Sequence, residues 1–225
     1  MQIGVTERGD AGRNLVWLQA VRRKAVDGCI AVTKAPQALL TEYIPSNVVI
    51  HCTITGHGGT VLEPSTASPE TALVAYNILA DRYGGERVVL RIDPILIMDD
   101  DALDRAYKVC EAARGRARIS FLDYYPHVRE RFTEQGVAYA QDFHAPLALR
   151  QKVWKQMGEP EVCAEPGMVC TGCVSLRDLR AMGIEGALTV GGRQRQNCAC
   201  AAEKVELLAD RKPCKHGCLY CYWKD

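Results

Sequence analysis

Residues 68–94 read SPETALVAYNILADRYGGERVVLRIDP. Ser68 before Pro69 and Glu70 is an N-cap with proline at the first helical position, so a helix opens there. Helical spacing of apolar residues continues to about Tyr83, where Gly84-Gly85 stops it. Arg87–Ile92 then reads as a short apolar strand. The alternation extends both ways. Upstream lie a strand near Ile3–Thr6, a helix over about Asn14–Val26, and strands at Cys29–Thr33 and Val48–Thr55. Downstream lie a helix over about Asp100–Ala113, a strand at Ala117–Leu122, helices over about Pro126–Gln135 and Pro146–Met157, and a strand at Glu161–Ala164. Strands alternating with helices of this length predict βαβ units and a parallel sheet. The expected class is α/β: a partial (β/α) TIM-like barrel over residues 1–165. A Cys-rich appendage over 166–225 is expected to pack on its mouth. Thr33–Lys34, Thr55–Gly56, Asp93–Pro94 and Asp123–Tyr124 put polar groups at strand ends, where such barrels keep their chemistry.

Composition narrows the function classes. The 225 residues carry 28 Lys+Arg against 27 Asp+Glu and are 48% hydrophobic, which suits one core. A net charge of +1 argues against bulk electrostatic capture of nucleic acid but leaves a local basic groove open. No apolar run reaches about 18 residues, and no basic segment precedes an apolar one at the N-terminus. Neither a membrane span nor a signal peptide is expected, and a cytoplasmic, reducing compartment is. No Gly-x-Gly-x-x-Gly follows a strand, and the Gly56, Gly58, Gly59 loop lacks a following Gly-Lys-Ser/Thr, so nucleotide-fold fingerprints are missing.

Cysteine is the outlier, with 11 in the chain and eight of them from Cys163 onward. An odd count without a secretory signal argues against a disulfide framework. Cys29, Cys52 and Cys110 lie in apolar stretches and read as buried structural thiols. The rest are Cys163, Cys170, Cys173, Cys198, Cys200, Cys214, Cys218 and Cys221. A zinc site built from Cys170/Cys173 and Cys218/Cys221 would span 44 residues, against about 15–20 in zinc ribbons, and leaves Cys214 unused. Cys214-Lys-His-Gly-Cys218-Leu-Tyr-Cys221 has instead the C-x-x-x-C-x-x-C spacing by which radical S-adenosylmethionine enzymes hold three irons of a 4Fe–4S cluster. The fourth iron stays open to the cofactor. Tyr220 stands where such enzymes often carry an aromatic beside the adenine. Cys198 and Cys200, one residue apart, suit a second, multinuclear centre with Cys163 and Cys173, and Cys170 in reserve.

Further stretches carry a resemblance. They are Val32–Pro36, Thr53–Thr55 with Glu63-Pro64, Arg91–Ile95, Arg193–Cys200 and His216–Tyr222. Together they resemble a family described only as a domain of unknown function, distantly similar to spore photoproduct lyase and other radical S-adenosylmethionine enzymes. The resemblance implies a partial barrel, a radical 4Fe–4S cluster and a second metal group. It also implies S-adenosylmethionine as a ligand, a reductant such as flavodoxin or ferredoxin, and hydrogen abstraction from a substrate, with nucleic acid or a nucleotide left open. Two features depart from most radical enzymes. The cluster loop lies within twelve residues of the C-terminus, so the tail must fold back over the strand ends. The usual Gly-Gly-Glu after the second strand is missing, and Thr33 and Lys34 stand there as candidate contacts to the methionine amino or carboxylate group.

Arg91 and Asp93 face one side of a strand and suit either an ion pair or a cofactor and substrate contact. Glu63, in a Leu-Glu-Pro turn, is a candidate for the same mouth or a surface-loop carboxylate. Tyr124 is a candidate hydrogen-atom relay or a rim packing residue. His51, His57, His127 and His144 show no metal spacing. His216 reads as positioned by the loop turn, and Arg193 and Arg195 as a solvated face or an anion contact. Two rivals to the enzyme are a non-catalytic iron–sulfur electron carrier or sensor and a zinc-stabilised nucleic-acid-binding module.

Overall fold

The computed structural model describes residues 1–186, 189–191, 197–202, 204–208 and 214–223. The strands are β1 (Ile3–Val5), β2 (Gly28–Thr33), β3 (Val48–Thr53), β4 (Val88–Ile95), β5 (Ala117–Phe121), β6 (Glu161–Val162) and β7 (Lys204–Glu206). The helices are α1 (Val16–Arg22), α2 (Pro69–Tyr83), α3 (Asp100–Glu111), α4 (Pro126–Glu134), α5 (Leu147–Gln156) and α6 (Leu176–Ala181). All strand pairs are parallel, in the order β6-β5-β4-β3-β2-β1-β7. The sheet curls into a half-barrel with β6 and β7 at its two ends.

Local chemistry accounts for most boundaries. The Ser68 side chain accepts from the Thr71 amide, Pro69 opens α2, and Gly84 at φ 87° ends it. Asp99 caps α3 by accepting from the Ala102 amide, with Asp100 and Asp101 in the first turn, where the helix dipole favours them. Helix α1 is shorter than the sequence pattern suggests, because the chain turns left-handed at Lys24 (φ 56°). Among the described residues no helix is long and apolar enough to cross a membrane.

The two faces of the sheet bury different things. Cys29, Ala31, Val48, Ile50, Cys52, Leu90, Ile92 and Phe121 point outward against Trp17, Leu18, Tyr76, Leu79, Val109 and Val153 of the helices, forming the main core. Burial on this scale, about 25 cal/mol per Å² of apolar surface, is what makes the strands read as continuous apolar runs. On the concave side, Ile3, Val5, Ile30, Val49 and Val89 pack with Val174, Leu179, Met182 and Ala201.

That second core adds contacts beyond the packing on the mouth that the sequence suggests for the C-terminal region. The C-terminal region is not only a layer on the mouth: β7 extends the sheet beside β1, and the α6 segment fills the concave side. Both elements are too short to leave a periodic signal. The basic stretch at 193–195 lies outside the described residues.

Farther along the concave face the strands carry charge. Arg118 of β5 reaches Glu161 of β6 and Asp178 of α6 (3.1 Å), and Arg116 reaches the same two carboxylates (2.8 Å each). The Ser175 amide and hydroxyl also donate to Asp178, in a capping box. Burial opposes the charge on Asp178, but Arg118, His51 and Arg116 hold its carboxyl well below the usual range. Removing one partner from such a network strands the others in a dry interior. Asp178→Ala should therefore cost about 3–5 kcal/mol of stability, read as a lower urea midpoint at unchanged m-value. A loss below about 1 kcal/mol would show that α6 does not hold this network together.

Candidate active site and thiol cluster

The C-terminal strand ends surround a cavity of about 200 Å³. Its lining includes Thr33 and Lys34 after β2, Arg91 and Asp93 on β4, Leu122 and Asp123 after β5, and Glu7 and Asp10 after β1. Cys214, Cys218 and Cys221 line it too, with Tyr220, Tyr222 and Trp223. The tail therefore folds back over the strand ends, and the three thiols of the C-x-x-x-C-x-x-C loop share one cavity with Thr33, Lys34, Arg91 and Asp93.

Backbone and side-chain anchors hold the loop there. The Leu219 amide donates to the Leu62 carbonyl (3.0 Å), and the Ser65 amide to the His216 carbonyl (3.2 Å). Arg131 of α4 donates to the carbonyls of Cys221 (2.5 Å) and Trp223 (3.0 Å). Gly217 takes φ 66°, a conformation that an L side chain rarely adopts, and so lets the loop turn between its first two thiols. His216 is placed by partners rather than by that turn. Its Nε2 lies 2.8 Å from Asp10 Oδ2 and its Nδ1 3.2 Å from Thr66 Oγ1. His127 lies 2.9 Å from the Tyr222 carbonyl, and His144 2.7 Å from Asp123.

Asp10 is the hub that the sequence did not disclose. It accepts from the Thr33 hydroxyl (2.7 Å), the Lys34 amide (2.6 Å) and the amides of Gly12 (2.9 Å) and Arg13 (3.1 Å), besides facing His216. Thr33 is thereby committed to the scaffold: its hydroxyl donates to Asp10 and accepts from the Ala35 amide. Lys34 keeps its ammonium at the cavity, donating to Glu63 (2.9 Å) and to the Tyr220 hydroxyl (2.7 Å). Glu63 also accepts from Thr55 and Tyr220. It lies behind Lys34 rather than on the lining, which departs from the expectation that it faces the mouth. Burial works against the charge on Lys34, yet Glu63, Cys218 and Asp93 carry its pKa above the ordinary value.

Arg91 and Asp93 form the ion pair that is one of the two readings the sequence leaves open. Arg91 Nε donates to Asp93 (2.8 Å), Ser120 donates to the same carboxylate, and both charged residues line the cavity. Tyr124 does not reach the cavity. It packs in a separate cluster, with its ring edge-on to Phe132 at 5.9 Å, and its neighbour Tyr125 lines the mouth instead.

The remaining thiols divide. Cys163, Cys173, Cys198 and Cys200 form one buried cluster beneath the mouth. Cys163 Sγ lies 3.1 Å from Cys173 Sγ, and the Cys173 amide donates to Cys200 Sγ (3.0 Å). Gly172 makes this approach feasible: at φ 77°, a Cβ on it would fall 2.6 Å from the Ala199 carbonyl carbon. Glu7 joins the group, with ligand atoms of Glu7, Cys173 and Cys200 all within 4.8 Å of one another. Hydrogen bonds from Cys163 and Cys200, with Arg91 and Arg118 nearby, hold Cys173 well below the ordinary thiol range. Cys170 stands apart: its sulfur accepts from the Glu165 amide (3.1 Å) and packs toward the outer core. The two C-x-x-C pairs thus do not converge on a common zinc site. Cys29 and Cys52 are buried in the main core, and Cys110 packs against it.

Two carboxylates around the mouth are held in their charged form by their partners. Burial pushes Asp10 and Glu63 up, but His216, Lys34 and Thr33 around Asp10, and Lys34, Thr55 and Tyr220 around Glu63, hold both below their ordinary values. Folded values below the unfolded ones mean that this stability is complete above about pH 5 and lost as the pH falls through the folded values. The urea midpoint should therefore drop between about pH 7 and pH 3, and drop less in Asp10→Asn and Glu63→Gln. Equal drops in all three proteins would show that these carboxylates do not carry the effect.

Comparison with known proteins gives one family. The model for the domain of unknown function DUF1848 matches residues 11–223, and the chain belongs to that family. No curated protein and no solved structure matches the chain.

Proposed function

We propose that this DUF1848 member is a radical S-adenosylmethionine enzyme that abstracts hydrogen from a substrate held in the mouth cavity. The observation that carries the reading is the convergence of Cys214, Cys218 and Cys221 on a cavity lined by Lys34, Arg91 and Asp93. The donor set fits a cluster with one open iron. The loop offers three thiols, and both ring nitrogens of His216 are engaged by Asp10 and Thr66. When bound, a 4Fe–4S cluster with S-adenosylmethionine supplies reductive cleavage of the sulfonium to methionine and a 5′-deoxyadenosyl radical, using an electron from a flavodoxin- or ferredoxin-type donor.

The chain's own residues bind, orient and shield. Lys34 presents an ammonium to the methionine carboxylate, and Glu63 positions that ammonium. Tyr125, Tyr222 and Trp223 contribute rings that exclude water, which a reactive radical requires. Arg91 and Asp93 offer a fixed donor and acceptor pair to polar groups of the substrate. The lining mixes Glu7, Asp10, Asp93 and Asp123 with Arg8, Lys34 and Arg91. That balance favours a small zwitterionic or neutral substrate over a nucleic-acid polyanion.

The test is anaerobic reconstitution with iron and sulfide, reduction, and measurement of 5′-deoxyadenosine. Wild-type protein should form it, and Cys218→Ala should not while remaining folded by circular dichroism. Product from Cys218→Ala would sink the assignment, and iron loading without product would favour the electron-carrier rival. Lys34→Met removes a charged hydrogen bond, generally worth about 1.5–3 kcal/mol, so the S-adenosylmethionine KM should rise about tenfold or more. An unchanged KM would remove Lys34 from the cofactor site.

A further inference from the structure

We infer that Glu7, Cys173 and Cys200, with Cys163 against Cys173 as the fourth donor, bind a single divalent ion of the zinc type. It would sit in the seam between the end of β6 and the β1–β7 edge.

The spacing decides the nuclearity. A tetrahedral ion with metal–sulfur bonds of about 2.3 Å sets its thiolates about 3.8 Å apart. Cys163 Sγ lies 3.1 Å from Cys173 Sγ, and the ligand atoms of Glu7, Cys173 and Cys200 all lie within 4.8 Å of one another, so Cys173 has a donor on either side within reach of one such ion. The thiolates of a four-iron cluster bind separate corners and stand farther apart, and the 3.1 Å between Cys163 and Cys173 is closer than such corners allow. Cys173 is the central donor, between Cys163 on one side and Cys200 with Glu7 on the other. Cys198 shares the cluster and its side chain hydrogen-bonds to Cys200, so it is the rival to Glu7 for one of the four places on the ion. Soft thiolates with one carboxylate suit zinc, and four protein donors make a closed, structural type of site.

The surroundings fit an anionic metal–thiolate group. Lys204 Nζ holds Glu7 Oε2 at 2.9 Å and so fixes that carboxylate. Arg91 and Arg118 act on Cys173, and Lys204 faces Cys200 and Cys173 as well as Glu7. Three cations around a buried donor set offset the charge that three thiolates and a carboxylate bring to one ion. The position also gives the ion a task. Cys163 follows β6, Glu7 follows β1, and Cys200 precedes β7, so one ion ties both ends of the sheet where no ladder between β6 and β7 does so among the described residues.

The inference stands apart from the radical reading, and the experiment keeps them apart by using the full chain with Cys214, Cys218 and Cys221 all changed to Ala. Titrated with Co²⁺ as the probe, this protein should take up one equivalent and develop thiolate-to-cobalt charge-transfer and tetrahedral d–d bands. Zn²⁺ should displace the cobalt, and chelation should lower the melting temperature. Cys173→Ser and Cys200→Ser should abolish the bands. Glu7→Gln should weaken binding about tenfold or more, since even outer partners of a metal are worth about 10–100-fold in affinity. Cys198→Ser should keep full binding. No cobalt uptake by the folded triple variant would overturn the site. Iron with equimolar acid-labile sulfide, at about four per chain, would overturn the single ion in favour of a cluster. Loss of binding in Cys198→Ser together with full binding in Glu7→Gln would overturn this ligand set in favour of four thiols.

Discussion

The parallel sheet does not close on itself, and the rest of the molecule is arranged around that gap. A complete ring of parallel strands has no unpaired edge, whereas here β6 and β7 end the sheet on opposite sides. Described parts of the last sixty residues occupy the opening. Helix α6 lays Leu179 and Met182 against the inward side chains of β1 to β4, and its Asp178 meets Arg116 and Arg118. Above this charged layer lies the thiol group with Glu7. Charge and thiol chemistry thus sit where a closed barrel would hold packed aliphatic layers.

The same residues explain why the mouth is preorganised. Asp10 gathers the amide of Lys34, the hydroxyl of Thr33 and the imidazole of His216, so the end of β2 and the cysteine loop are set by one carboxylate. Lys34 in turn meets Tyr220 of that loop and Glu63 of the loop after β3. Asp10, Lys34 and the cysteine loop are each held by a partner from a distant part of the chain. Such cross-bracing fixes side chains before a ligand arrives, which lowers the entropic cost of binding.

Glu7 and Arg91 connect the two regions. Glu7 lines the mouth cavity and also belongs to the thiol group below it. Arg91 pairs with Asp93 at the cavity while its charge bears on Cys163 and Cys173. The floor of the cavity and the roof of the thiol group are therefore the same side chains, and a change of charge in one region is felt in the other through a low-dielectric layer.

What the sequence determined by itself was short-range. Caps at Ser68 and Asp99, the stop at Gly84 and the apolar runs of β2 to β5 depend on neighbours a few residues away, so the α/β alternation was legible. So was the C-x-x-x-C-x-x-C loop, because the spacing of its thiols is local. The polar strand ends were legible as a face, because the parallel βα order puts them on one side. Tertiary structure alone decided the rest. That β7 joins β1, that Asp10 meets His216, that Glu7 meets Cys173 and Cys200, and that Cys170 turns away are contacts between segments far apart in the chain or dictated by a local turn. Sequence periodicity carries no record of them, because each depends on how the curled sheet brings its two ends and the tail to one place.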